Sequence, residues 1–464
     1  MTKVKPMVAG PGHDSITMSA TPRTDSGLAR KLGLFDTVLM VLGGIIGASI
    51  FVLPATIARL VQEPGMVLLV WVVGGIFSLF GSFTYAELAA RMPLVGGQYV
   101  YLREAFHPAL AFMYGWCMLL VTQTGAIASV AVVSAHYLIA LTHLPVRPGL
   151  IICILLPLIA LINCLGVRSG GTTQNVFAAT KIAAFAVLIV CGWLLLPEKA
   201  SLMQSSGSSV PQGLLEAVLG ALPLVLFSYG GIQRIGYIAG EIRNPERNLP
   251  RGILLGFAGV VSIYLLVNIV CIRSLGIAAL SSSMTPVSDV MGRLLGRKGM
   301  VLIDAFIVIS TLGWLSQVML TAPRVYFAMA QDGVFFKSIS WLHPRFRVPV
   351  MAIMLQCIWA IIIALSGSYE QIIRYVMAVD LLFFALTALS VFIFRRRDKI
   401  NGESSIKQFR VPGHPVVTAV VAFVAVSLVL LQFQKSPGGS LIGFCIALAG
   451  LPVYYFWSRQ QRHS

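Results

Sequence analysis

The stretch Gly43-Gly44-Ile45-Ile46-Gly47-Ala48-Ser49 sits in the middle of an uncharged run, residues 37–58, long enough to cross a bilayer. Glycine costs about 1 kcal/mol in a helix interior relative to alanine, and this clustering invites the helix to break. In hydrocarbon a broken helix survives only where it lines a cavity within the protein, because each unpaired backbone N–H or C=O facing lipid costs several kcal/mol. The stretch therefore points to a binding site at membrane depth.

Further uncharged runs recur on both sides of it. They cover residues 66–86, 109–135, 149–167, 182–196, 217–233, 252–272, 305–323, 348–369, 375–394 (interrupted once by Asp380), 416–434 and 438–458. With the opening run they predict an all-α membrane protein of twelve transmembrane helices. Composition agrees: of 464 residues, 57% are hydrophobic and only 11% charged, too few charges for a set of soluble domains. Residues 1–32 lack the apolar core of a cleaved secretory signal and read as a flexible cytoplasmic tail.

Charge in the loops sets the expected orientation. The tail, the loops after every second span and the C-terminus hold 23 of the 34 lysines and arginines, the opposite loops nine. The positive-inside rule then places both termini in the cytoplasm. Lys181 and Arg234 lie instead at expected membrane depth. The net charge of +17 is scattered over short loops, which argues against nucleic acid and for anionic lipid headgroups as the counter-charge. The seven cysteines show neither C-x-x-C spacing nor histidine neighbours, so they read as packing residues, and neither metal nor cofactor is expected.

A second interruption lies five spans on, at Leu222-Pro223-Leu224-Val225-Leu226-Phe227-Ser228-Tyr229-Gly230-Gly231-Ile232-Gln233. Either break alone suits close helix packing equally well. Paired breaks at matching places in two five-span halves mark an inverted-repeat transporter that holds substrate where the breaks face each other. The expected units are a first repeat over 33–200, a second over 211–397, two extra helices over 414–459 and a cytoplasmic end at 460–464.

The same residues resemble a known family. Gly43 to Phe51 is similar to the first-helix signature of the amino acid, polyamine and organocation (APC) superfamily. Tyr85-Ala86-Glu87-Leu88-Ala89-Ala90-Arg91-Met92-Pro93 with Gly96-Gly97-Gln98-Tyr99 resembles its second-to-third helix connection. Gly240 to Arg251 and Ala322 to Gly333 resemble segments of its L-type amino acid transporter (LAT) branch. The resemblance implies a LeuT-like fold of five plus five helices, with helices 1 and 6 broken and two helices outside the core.

Backbone chemistry indicates what the breaks hold. The second half of the first helix presents the N–H groups of Gly47, Ala48 and Ser49 at a helix N-terminus, which suits a carboxylate. The first half ends in carbonyls at Gly44 and Ile45, and the sixth helix adds those of Phe227, Tyr229 and Gly230, which suit an ammonium. A zwitterionic amino acid satisfies both, and the resemblance implies the same roles, with Phe227 as a gate over the substrate. No acidic residue adjoins either break along the chain, so neutral amino acids are expected rather than polyamines or cationic amino acids, the alternative within the superfamily.

Lys181 is expected about two turns into a helix starting near Gln174, deep enough to need a partner or a snorkelling path. The resemblance implies that its ammonium replaces the sodium ion of sodium-coupled relatives. Transport is then sodium-independent, by exchange or proton coupling. Asp380 and Arg234 are candidates for a gate or proton path, Gln123 and Thr124 for polar contacts in span 3, and Glu87, Arg91 and Glu241 for solvated charges or an inner gate. Ser49 replaces a glycine common among relatives and Ile232 an aromatic residue, both bearing on side-chain selectivity.

An embedded enzyme would need clustered nucleophiles or histidines, and a channel a continuous polar lining; the runs offer neither. An alternating-access carrier fits best. Animal L-type relatives pair with a glycoprotein through a cysteine after span 3; residues 141–149 contain none, so no disulfide-linked heavy chain is implied. Short loops without an organelle signal point to a bacterial inner membrane.

Overall fold

The structure, a computed structural model, describes residues 32–94, 96–165, 170–196, 214–231, 233, 242–346, 348–366, 369–401, 409–435 and 437–461. Among these the chain is helical with no strand, apart from one isolated bridge between Leu32 and Ile242. The first span is two helices, α1 (Leu34–Ile45) and α2 (Ser49–Val61), bent by 46° at the break. They are followed by α3 (Pro64–Arg91), the short α4 (Gln98–Ala105), α5 (Pro108–Cys117), a π-helical turn at Met118–Thr122, α6 (Gln123–Thr142), α7 (Pro148–Cys164) and α8 (Gly170–Leu195).

The second half contains α9 (Leu214–Ser228), α10 (Pro245–Ser282), α11 (Pro286–Thr321), α12 (Pro323–Gln331), α13 (Val350–Ser366) and α14 (Tyr369–Asn401). Two last helices are α15 (Val416–Lys435) and α16 (Pro437–Gln461). Among the described residues seven helical stretches are long and apolar enough to cross a membrane, eight with the bent pair counted as one span. Four shorter apolar helices, at Pro148–Cys164, Ala179–Leu195, Glu216–Ser228 and Val350–Ser366, stand where the other expected spans fall.

Proline at the first helical position, where no N–H is needed, opens α3, α5, α7, α10, α11 and α12. Glu63 accepts from the N–H groups of Gly65 and Met66 and so caps α3. The helix α10 packs along α1, α2 and α3, and α11 packs on α6 and α8. The outer helices turn large apolar residues such as Leu194 and Phe423 outward, where lipid rather than water would meet them. The core thus lies around the first break, between α8, α9, α10 and α11.

Candidate functional site

Both interruptions occur where the glycines stand. Ile46 is extended (φ −68, ψ 94) after the last turn of α1, and α2 starts three residues on. The helix α9 stops at Ser228, and Gly231 takes φ 114, a left-handed geometry that a side chain would strain. Arg234, Ile232 and Glu241, named from the sequence, lie outside the described residues.

A cleft with about 660 Å³ of space, counting the part open to its surroundings, lies at the breaks. Ile45, Gly47, Ala48 and Ser49 line it from the first break and Phe227 and Gly230 from the second. Gly44 and Tyr229 stand behind this lining. Gly44 faces Gln317, and the Tyr229 hydroxyl donates to the carbonyl of Trp71 at 3.3 Å.

Carbonyls at the end of α1, and that of Met40 one turn earlier, already have side-chain donors. Gln317 Nε2 reaches Met40 O at 3.2 Å, Trp314 Nε1 reaches Gly44 O at 3.0 Å, and the Tyr264 hydroxyl lies 3.3 Å from both Ile45 O and Ser228 O. Lys181, 2% exposed, gives Nζ to Gly43 O at 3.0 Å and to Ile46 O at 2.9 Å. Its helix starts at Gly170 rather than near Gln174, which sets Lys181 about three turns in instead of two. Snorkelling is thereby replaced by two carbonyl acceptors at the break.

Across the site, Ser49 and Ser228 hydroxyls meet at 2.9 Å and join the start of α2 to the end of α9. This is where the Ser49 hydroxyl is spent. Gly47 is hemmed in, since a Cβ there would stand 3.2 Å from Trp314 Nε1. Gly47, Ala48 and Ser49, at the start of α2, line the cleft, where a helix start leaves amides without an acceptor inside the helix; the Phe51 N–H is already taken by Ala48 O at 3.1 Å.

The opposite wall comes from the π-turn. Met118, Thr122 and Gln123 line the cleft there, and Thr124 Oγ1 donates to Leu119 O at 2.6 Å, filling the widened turn. Gln123 Nε2 is buried without a hydrogen-bond partner. Asp380, carried in by α14, lines the same cleft. Along the chain no acidic residue adjoins the breaks; in space one does.

One end of the bundle carries an ion cluster. Glu87, fully buried, accepts from Arg91 Nε at 3.1 Å, Arg395 Nε at 3.0 Å, Arg395 Nη2 at 2.6 Å and Val411 N at 2.6 Å. Arg91 also meets Asp398 at 2.8 Å. Nearby, Asp332 takes the Arg103 guanidinium and, at 2.8 Å, the Tyr99 hydroxyl. Burial works against the Arg103 charge, but Asp332 outweighs it and keeps the guanidinium above its ordinary value. Glu87 is therefore a buried partner of the largely covered Arg91 rather than the solvated charge that its sequence position favoured.

A family model described as amino acid permease matches residues 32–456. The chain belongs to the amino acid permease family. It is 30% identical to the b(0,+)-type amino acid transporter 1 of Rattus norvegicus, with 94% of this chain and 89% of that protein covered. The serine/threonine exchanger SteT of Bacillus subtilis is also 30% identical, over 93% of this chain and 97% of its own. At 26% stands the large neutral amino acids transporter small subunit 2 of Homo sapiens, covering 96% and 84%. The amino acid permease chain is thus an integral multi-pass membrane protein of a transporter family, and one of these relatives is named an exchanger. The partners of the α1 carbonyls, Trp314, Tyr264 and Gln317, escaped the sequence reading.

Proposed function

We propose that this permease carries neutral amino acids by alternating access, without sodium, between two inverted repeats over 33–200 and 211–397. The observation that carries this reading is the juxtaposition at the first break. Gly47, Ala48 and Ser49 at the start of α2 line the cleft, while Lys181 holds the carbonyls of Gly43 and Ile46 at the same break. A helix N-terminus favours the substrate carboxylate. An ammonium already seated on the carbonyls takes the place that a metal cation would fill, which supports sodium independence and leaves exchange or proton coupling as the driving mode.

The substrate amine needs acceptors. Each carbonyl oxygen offers two lone pairs, so Ile45 and Phe227 retain capacity beyond their internal bonds. Arg234 belongs to this reading as a gating residue together with Asp380. The exchanger named among the relatives supports antiport, the loop charges support cytoplasmic termini, and the short loops support a bacterial inner membrane.

A second reading rests on Asp380. A carboxylate lining the cleft favours a substrate with an additional positive charge, a cationic amino acid or amine. Purified protein in proteoliposomes, loaded with one amino acid and supplied with labelled leucine, alanine or arginine outside, separates the two. Leucine and alanine counterflow that ignores excess arginine and needs no sodium supports the first reading. Arginine as the preferred substrate supports the second, and counterflow of none of them refutes both.

A further inference from the structure

Trp314 and Gln317 stand one turn apart on α11 and turn their side-chain N–H groups to α1. Trp314 Nε1 donates to Gly44 O at 3.0 Å and Gln317 Nε2 to Met40 O at 3.2 Å. The two bonds are not equivalent. Met40 O lies inside α1, where the amide four residues on serves it. Gly44 O belongs to the last turn, whose carbonyls have no donor within the helix. The indole therefore supplies what the interruption of the helix took away.

The same ring meets the other side of the interruption. A Cβ on Gly47 would stand 3.2 Å from Trp314 Nε1, 3.4 Å from Cδ1 and 3.5 Å from Cε2, so the pyrrole edge lies against the glycine that precedes α2. One rigid side chain thus touches both halves of the broken span, by a hydrogen bond at the end of α1 and by close contact at the entry to α2. It does so from outside either half, because α11 packs on α6 and α8 whereas α1 packs along α10 and α8. Trp314 is buried, and of the chain's seven tryptophans it alone is among the described residues lining the cleft.

The short link between the halves contains Gly47, and glycine has more backbone freedom to lose than any other residue. A loose link would have to be ordered by the substrate itself, with a loss of affinity. We infer that Trp314 is a positioning residue for the substrate carboxylate: its N–H and its ring hold the halves at their 46° bend, so that Gly47, Ala48 and Ser49 are in place before the amino acid arrives. The inference rests on the reading of the cleft as the amino acid site and adds to it the side chain that fixes the carboxylate's seat. Every amino acid has that carboxylate, so the effect of Trp314 is the same whatever side chain the substrate carries.

Trp314→Phe keeps an aromatic ring and removes the N–H. In proteoliposome counterflow it should raise KM about fivefold, the worth of one neutral hydrogen bond of about 1 kcal/mol, and by the same factor for leucine and alanine. A merely structural role lowers the maximal rate and the melting temperature at parental KM, and that pattern overturns the proposal. A rise in KM confined to leucine also overturns it, because Trp314 would then bound the side chain and not the carboxylate. Tryptophan emission gives a second readout that needs no variant: saturating leucine should change it in the parent, and an emission that ignores leucine overturns the placement. In Trp314→Phe the change should vanish at a leucine concentration that saturates the variant, and a change of parental size there overturns the placement equally. A parent that carries no amino acid refutes the transport reading, whereas a parent that carries them beside a Trp314→Phe variant of parental KM refutes the positioning role alone.

Discussion

Replacing Lys181 by methionine preserves side-chain length while removing the ammonium. Two charge-assisted hydrogen bonds, at 3.0 Å to Gly43 O and 2.9 Å to Ile46 O, disappear. At about 1.5–3 kcal/mol each, the gross loss is about 3–6 kcal/mol. Against this, the folded protein no longer buries a charge, a saving of several kcal/mol per ion. The two terms nearly cancel for folding, so Lys181→Met should melt close to the parent. They do not cancel for the shape of the break, because Ile46 O lies where α1 has already ended and has no helical donor to return to. A loss of about 1.5–3 kcal/mol in the binding-competent arrangement corresponds to a ten- to hundredfold rise in KM. Counterflow in proteoliposomes, with thermal melting followed by size-exclusion chromatography, measures both quantities. Parental KM and maximal rate in a variant that melts normally would refute the clamp.

Three further outcomes follow from the geometry. Ser49→Ala and Ser228→Ala should each raise KM by about fivefold, the worth of one neutral hydrogen bond of about 1 kcal/mol, and the double variant should cost little more than either single one. Additive effects would show that the hydroxyls act separately. Glu87→Gln leaves Arg91 and Arg395 buried with one acceptor oxygen instead of two and should destabilise by about 3–5 kcal/mol, read as a lowered melting temperature; an unchanged melting temperature would contradict this. Burial and the neighbouring Arg395 hold His414 below its ordinary value of 6.5, so its neutral form is the folded one. Stability linked to His414 is present above pH 6.5 and declines as pH falls below it. His414→Gln should flatten the melting-temperature profile on that acidic side, and an unaltered profile would exclude the linkage.

The break at Gly43 to Ser49 was legible because glycine's helix cost is local, and the stop at Ser228 for the same reason. Lys181 stood out because a lysine in an apolar run demands a partner or a path to the surface, but the residues alone did not say which, nor that the acceptors would be the carbonyls of Gly43 and Ile46. Trp314, Tyr264 and Gln317 were not legible. Each lies more than 200 positions from the carbonyl it serves, and each looks like an ordinary span residue until packing brings it there. Asp380 shows the same limit from the other side: its charge was plain in the sequence, but its place in the cleft depends on how α14 sits against α9. The π-turn leaves only Thr124 as a trace, since a hydroxyl reaching five residues back has many ordinary explanations along a chain.

A phenol has one hydrogen to give. The Tyr264 hydroxyl stands equally far from the carbonyls of Ile45 and Ser228, the last acceptors of the two interrupted spans, and cannot fully satisfy both. These two carbonyls therefore share one hydrogen. On the proposed reading of the cleft, an amine taking Ile45 O would release the phenol wholly to Ser228 O. Occupancy would then register as a change of allegiance at a residue that the ligand never needs to touch.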